Sequence, residues 1–445
     1  MTVSLDIPPL SVPSGNDEPL ISYAYSYPHK SSYRPLIPAV PLADVWRDED
    51  RQQLALYAHI PFCEMRCGFC NLFTQSQPAS DQVTAYLRTL TRQMHVVRSE
   101  LPDSRFAMFA LGGGTPTYLT EPQLEALLAT VESTFDIELR RVPTSVETSP
   151  ATATHERLSV LADRGIHRIS LGVQSFIDSE TRAFGRPQHP DEVRRALETI
   201  RALGFPVLNI DLIYGDPAQS RASWLSSLEA AMTFRPEEFY LYPLYVRPET
   251  GLARTGHLAA GHLAAGHRID LYRAGRDWLL ERGYEQLSLR CFRRANQDAV
   301  ASTYSCQRDG MIGLGCGARS YTRELHYATR FAVTQAGVRA ILGHWIAQSD
   351  ADLGLATHGF RLSLDEQRRR FVILSLLQSA GMSLAEFDRL EGDPRELNEL
   401  RERGWLFEHD DCLRLTEAGL ENSDLIGPLL ASEPVRARLR EFVSR

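Results

Sequence analysis

Three of the chain's seven cysteines fall within one short loop, Cys63-Glu-Met-Arg-Cys67-Gly-Phe-Cys70. Thiolates are the ordinary ligands of iron-sulfur clusters, and three thiolates rather than four leave one iron open to a ligand from outside the protein. The CxxxCxxC spacing therefore points to a reactive 4Fe-4S cluster. A zinc knuckle would want a fourth Cys or His close by, and the candidate, His59, precedes the loop on what reads as a strand. The cysteines are too sparse for a disulfide scaffold in 445 residues, and their clustering reads as metal binding.

Such a loop needs a scaffold, and the sequence around it has a rhythm of short apolar runs, each followed by helical spacing. The strand candidates are LALYAHI (54–60), FAMFALGG (106–113), TSVETS (144–149), RISLGVQ (168–174), VLNIDLIYG (207–215) and FYLYPLY (239–245). Between them, Val83, Tyr86, Leu87, Leu90, Met94 and Val97 form one helical stripe, and Thr120-Glu-Pro-Gln123 reads as a capping box before Leu124, Leu127, Leu128 and Val131. Six strands alternating with helices predict an α/β fold with a parallel sheet, here a partial (β/α)6 TIM-type barrel over residues 51–250. Right-handed crossovers place all the strand C-termini on one face, where the chemistry of such barrels sits. Glu147, Gln174 and Asp211 fall late in or within three of these strands.

Taken together, YAHIPFCEMRCGFC, GGGTPT (112–117), Glu147, RISLGVQSF (168–176), Gly185-Arg186 and NIDLIYG (209–215) resemble the oxygen-independent coproporphyrinogen III oxidase family of radical S-adenosylmethionine (SAM) enzymes, a group that includes haem chaperones and class C radical methyltransferases. The similarity runs over roughly residues 54–320 in the same order. It implies a radical SAM barrel in which Cys63, Cys67 and Cys70 hold the cluster and SAM chelates its open iron. It also assigns SAM contacts: Gly113, Gly114 and Thr115 as a methionine cradle, Glu147 for the ammonium, Asp211 for the ribose, and Arg186 for the carboxylate. Gln174, Tyr57 and Phe69 complete that set, Phe69 near the adenine. Relatives that bind a second SAM imply a place for it beside the backbone of Tyr245. The resemblance further implies an organic small-molecule substrate and an electron donor such as flavodoxin or ferredoxin. In this chain Cys70-Asn71-Leu72-Phe73 stands where the coproporphyrinogen oxidases carry a further cysteine, and only Tyr304 remains of the haem chaperones' signature around Val300–Ser305.

The rest of the chain reads less specifically. Residues 1–50, rich in Pro, Ser and Tyr, predict an extended arm whose tyrosines pack on the body; residues 251–360 extend the barrel and cover its mouth; residues 361–445 resemble a winged-helix appendage. Cys306 and Cys316 bracket a Gly-rich segment and read either as thiols that handle a radical intermediate or as buried small hydrophobes. Cys291 and Cys412 read as structural. The repeat GHLAAGHLAAGHR places His257, His262 and His267 five apart, about 140° on a helix, so they do not share one face and read as a duplicated segment rather than a metal site. A net charge of −8 argues against nucleic acid, and no apolar run approaches the ~20 residues of a membrane span. The N-terminus lacks a basic region followed by an apolar one, which predicts a cytoplasmic protein without membrane attachment.

Overall fold

A computed structural model of the chain describes residues 26–247, 249–255, 265–295 and 307–442. Six strands follow one another with helices between them: β2 Leu54–Ile60, β3 Phe106–Gly113, β4 Thr144–Thr148, β5 Arg168–Gln174, β6 Val207–Tyr214 and β7 Glu238–Pro243. Their crossovers are α1 Ser80–Glu100, α2 Glu121–Phe135, α3 His155–Asp163, α4 Pro190–Ala202 and α5 Arg221–Met232, and α6 Ala265–Leu280 follows β7. Neighbouring strands are parallel throughout β2 to β7. Strands covered on both faces need near-continuous apolar runs, and β2 is buried at six of its seven positions. The stripe predicted for α1 holds, with Val83, Tyr86, Leu90, Met94 and Val97 buried and Leu87 half-buried. The capping box at Thr120 is formed, the Gln123 side chain accepting from the Thr120 N–H at 3.0 Å.

The sheet extends beyond the six expected strands. Strand β1 Arg34–Pro41 lies at one edge; β8 Tyr284–Gln286 and β9 Cys291–Arg294 lie at the other; β10 Met311–Leu314, β11 Arg319–Tyr321, β12 Leu325–Ala328 and β13 Leu355–Arg361 fill the space beside β2. The full order is β1-β13-β12-β11-β10-β2-β3-β4-β5-β6-β7-β9-β8. Strand β10 pairs with β2 in parallel, giving a seventh parallel strand, while every pairing outside β10 to β7 is antiparallel. Four residues in a glycine-rich segment carry too short a pattern to announce that strand in the sequence. The ends of the sheet, β1 and β8, do not pair, so the barrel is partial.

One apolar core fills the space between the parallel strands and their helices. A second gathers Tyr27 and Tyr33 from the N-terminal segment, Phe360 from β13, α7 Leu364–Leu376, and a small sheet of β14 Met382–Ser383, β15 Leu406–His409 and β16 Cys412–Leu415. The two cores meet through ion pairs. Asp424, in α8 Ser423–Leu430, takes the Arg290 guanidinium and the Tyr245 hydroxyl, and Glu421 takes Arg273 and Arg276 of α6.

Candidate active site

The cysteine loop leaves the C-terminal end of β2 and is pinned from both sides. Its start, Phe62–Cys63, pairs with Gln75–Ser76. The turn after β3 folds beneath it: the Gly114 N–H donates to Ile60 O at 2.7 Å and the Thr115 N–H to Phe62 O at 2.8 Å. A Cβ on Gly114 would lie 2.6 Å from Phe62 O and 2.9 Å from Cys63 Sγ, so only glycine admits the loop at this depth. On the far side the Gly68 N–H donates to the carbonyls of Phe184 and Gly185, which carries the next residue, Arg186, to the cluster loop.

Each thiol has its own polar neighbour. Arg186 donates through Nη1 to Cys67 Sγ at 3.2 Å and through Nη2 to Gly172 O at 3.0 Å; Thr115 Oγ1 lies 3.6 Å from Cys63 Sγ, and Thr74 Oγ1 3.7 Å from Cys70 Sγ. Burial pushes the Cys63 thiol up, and Cys70 pushes it the same way; burial also raises Cys67, against the pull of Arg186. The Cys63 and Cys67 thiols therefore stay protonated until something positive draws the protons off, as a metal does. Among the described residues no three His, Cys, Asp or Glu side chains close on a single metal ion. A 4Fe-4S cluster makes a different demand, since each of its irons takes one thiolate and three sulfurs need only surround a common space. The donor set fits such a cluster.

Two carboxylates face the same mouth. Glu147 of β4 accepts from the Gly113 N–H at 3.0 Å and is open to water at the mouth. Burial raises its carboxyl to about 7, offset in part by that hydrogen bond, with Asp211 pushing upward as well. Asp211 of β6 accepts from Asn209 Nδ2 at 2.7 Å and is raised to about 6 by burial, against Asn209, Arg168 and Arg186. Two acids held half-neutral by their surroundings form a site that gains from a cation, which suits the ammonium and sulfonium of SAM. Gly172 lies under both the Gln174 amide and the Arg186 guanidinium, and Gln174 itself has φ +69°, a backbone strain that points its buried side chain back over the strand end.

The other residues singled out in the sequence are placed as follows. The Tyr57 hydroxyl lies 3.0 Å from His59 Nδ1, and His59 Nε2 lies 3.1 Å from Phe73 O. Burial holds His59 down to about 4, so it is neutral; Nε2 must donate to the carbonyl, which leaves Nδ1 to accept from Tyr57. His59 thus orients Tyr57 and is engaged at both nitrogens, a role the sequence reading missed. Phe69 joins the apolar patch of Phe184, Ile213, Leu244 and Tyr242 at the mouth. Tyr245 does not end the sixth strand as expected, because β7 stops at Pro243; two residues on, the Tyr245 hydroxyl turns away to Asp424 at 2.7 Å. Cys316 is fully buried in the main core, 3.9 Å from Thr329 Oγ1, with its thiol pushed up by burial, which is the behaviour of a small hydrophobe. Cys306, Tyr304, His257 and His262 lie outside the described residues; His267 sits near the start of α6. Sequence reading also missed Arg168 and Asn209, although both fall inside quoted motifs. Arg168 pairs with Glu238 beneath Asp211, and Asn209 bridges Ser170 and Asp211.

Comparison with known proteins agrees with this geometry. Residues 57–230 match the Radical SAM superfamily. The chain is 27% identical to the haem chaperone HemW of Bacillus subtilis over 84% of this chain and 98% of the relative. It is 29% identical to an oxygen-independent coproporphyrinogen III oxidase of Cereibacter sphaeroides over 72% of this chain and 75% of the relative. The solved coproporphyrinogen III oxidase of Escherichia coli shares the fold at a TM-score of 0.76, with 23% identity over 92% of this chain and 96% of that one.

Proposed function

We propose that this chain is a radical SAM enzyme, similar to the oxygen-independent coproporphyrinogen III oxidases, and that it takes a hydrogen atom from an organic small molecule at the mouth of its barrel. A 4Fe-4S cluster on Cys63, Cys67 and Cys70 with SAM on its open iron supplies, when bound, one-electron cleavage of the sulfonium and a 5′-deoxyadenosyl radical. The residues of the chain provide the setting. Arg186 neutralises the Cys67 sulfur and ties it to β5, Glu147 and Asp211 offer negative charge to the ammonium and ribose side, and the Tyr57 hydroxyl is aimed by His59. The apolar patch with Phe69 keeps water from one wall.

The observation that carries the reading is the Arg186 bridge from Cys67 to Gly172, because it joins the cluster loop to the strand ends that bear Gln174 and Asp211. An electron donor of the flavodoxin or ferredoxin type completes the cycle, and a second SAM near the Tyr245 backbone belongs to the methyl-transferring version of it. The test is anaerobic reconstitution with iron, sulfide and a strong reductant: 5′-deoxyadenosine should form from SAM. An intact, cluster-loaded protein that makes none would sink the proposal, and S-adenosylhomocysteine accumulating beside it during turnover would mark methyl transfer.

Haem delivery is a second reading, favoured by the near-complete span of the match to the Bacillus subtilis chaperone. Stoichiometric haem binding with a shifted Soret band supports it, and a featureless titration removes it.

A further inference from the structure

Behind the cluster loop, buried hydroxyls stand in a row. Thr117 belongs to the short turn Pro116–Tyr118 after β3, Thr148 ends β4, and Ser149 and Thr152 follow it. All four residues are buried. Thr148 Oγ1 lies 2.6 Å from Thr117 Oγ1, which lies 2.6 Å from Thr152 Oγ1, which lies 2.9 Å from Ser149 Oγ. The row ends at the cluster loop, where Ser149 Oγ donates to Glu64 Oε1 at 2.7 Å.

That last contact fixes the direction of the whole row. A hydroxyl carries a single proton, and a carboxylate only accepts. Ser149 gives its proton to Glu64, so Thr152 must donate to Ser149, Thr117 to Thr152 and Thr148 to Thr117. The competing contacts, from Thr152 and Thr148 to the Ser149 carbonyl, are longer at 3.4 and 3.5 Å. Hydrogen bonds aligned head to tail polarise one another, and this row delivers its polarised end to one carboxylate oxygen. The other oxygen, Glu64 Oε2, is shut off from water and takes no hydrogen bond among the described residues. Leaving a buried carboxylate oxygen bare costs stability, so the arrangement calls for a role beyond fastening the loop.

The charge falls on the cysteines. Glu64 follows Cys63 directly in the chain. After burial and Cys70, it is the next group that pushes the Cys63 thiol up, and it acts in the same sense on Cys67, again behind burial and Cys70. The loop therefore carries a fixed charge of each sign, Glu64 beside Cys63 and Arg186 at 3.2 Å from Cys67 Sγ.

We propose that Glu64 sets the reducing power of the bound cluster: the hydroxyl row fixes its carboxylate beside the cysteines, and its negative charge makes the cluster harder to reduce and a stronger reductant once reduced. Net charge and hydrogen bonding at the sulfurs are among the factors that set such potentials, and Arg186 acts in the opposite sense. The assignment rests on the radical reading above, in which a flavodoxin- or ferredoxin-type donor supplies the electron that cleaves the sulfonium of SAM.

The test is an EPR-monitored redox titration, with dithionite and mediators, of full-length protein reconstituted anaerobically with iron and sulfide and kept free of SAM. Glu64→Gln keeps the shape and an acceptor for Ser149 while removing the charge, and should move the midpoint to a less negative value. Arg186→Gln should move it the other way. Thr117→Val breaks the row two hydroxyls away from Glu64; it should displace the midpoint by less, and the displacement should shrink in the Glu64→Gln background, because the row acts through the carboxylate. Only loaded molecules give the reduced-cluster signal, so a variant that binds less iron is still read. A Glu64→Gln midpoint equal to the parent's or more negative overturns the proposal, and lowered iron retention with an unmoved midpoint marks a merely structural role. A Thr117→Val displacement equally large in both backgrounds overturns the part assigned to the row. Because the titration needs no SAM, the expected shift in a chain that forms no 5′-deoxyadenosine would keep this assignment and lose the radical function.

Discussion

Cys67 receives the Arg186 guanidinium and sits between the other two thiols in the loop. Cys67→Ala should drop bound iron well below four per chain after reconstitution, by colorimetric iron and sulfide assay, while the thermal midpoint of the cluster-free chain changes little. Glu147 offers a pH signature. Its folded carboxyl titrates near 7 against an ordinary value of 4.5, so the folded state holds this proton more tightly than the unfolded one. The stability it lends is fully present below about 4.5 and is lost as pH rises through about 7. Asp211, raised to about 6, acts in the same sense at somewhat lower pH. In the cluster-free chain Tm should fall between pH 5 and 7.5, and Glu147→Gln should flatten that fall. An unaltered slope in the variant would mean the Glu147 carboxyl is not held near neutrality.

At the scale of elements, the turn after β3 is the piece that lets the cluster loop settle onto the barrel. Gly114→Ala puts a methyl 2.6 Å from the Phe62 carbonyl and against Cys63 Sγ, and the loop must move. Overpacking of this kind costs about 1–3 kcal/mol, and iron retention should fall with it. Gly343, in the helix Gln335–Ile346, is a fitting control because a Cβ there meets nothing within 4 Å. Gly343→Ala should stabilise by about 0.5–1 kcal/mol in denaturant titration without touching iron content. The sequence foretold both the six parallel strands and the helices between them, because alternating apolar runs and helical stripes are local signals. Strand β10 escaped it, since a four-residue strand owes its place to its pairing with β2.

Charges brought from far apart in the chain join the two cores. Arg290 and Asp424 are almost fully buried and share the Tyr245 hydroxyl, so the last strand end of the barrel is tied to α8. Asp424→Ala strands a buried guanidinium and should cost about 3–5 kcal/mol, measured as a lower denaturant midpoint. Replacing both partners with apolar side chains should cost far less. The N-terminal segment joins the same assembly through Tyr27, whose hydroxyl donates to Glu366 Oε2 at 2.5 Å while Ser432 donates to the other carboxylate oxygen. Glu366 and Ser432 both lie in the C-terminal region, so the two ends of the described chain brace one another.

From sequence alone, the cysteine spacing pointed to cluster chemistry, and the motifs around it pointed to the α/β barrel and singled out Glu147, Gln174, Arg186 and Asp211. Ligand number and apolar periodicity are written in neighbouring residues and need no third dimension to read. What folding decided were partnerships between residues with no sequence signal linking them. It set His59 to aim Tyr57, turned the Tyr245 hydroxyl toward Asp424, and buried Cys316 in the core. It also gathered Lys30, Arg319 and Arg330 around one pocket. Those contacts join positions up to hundreds of residues apart, and the field they create exists only once burial has stripped the water between them.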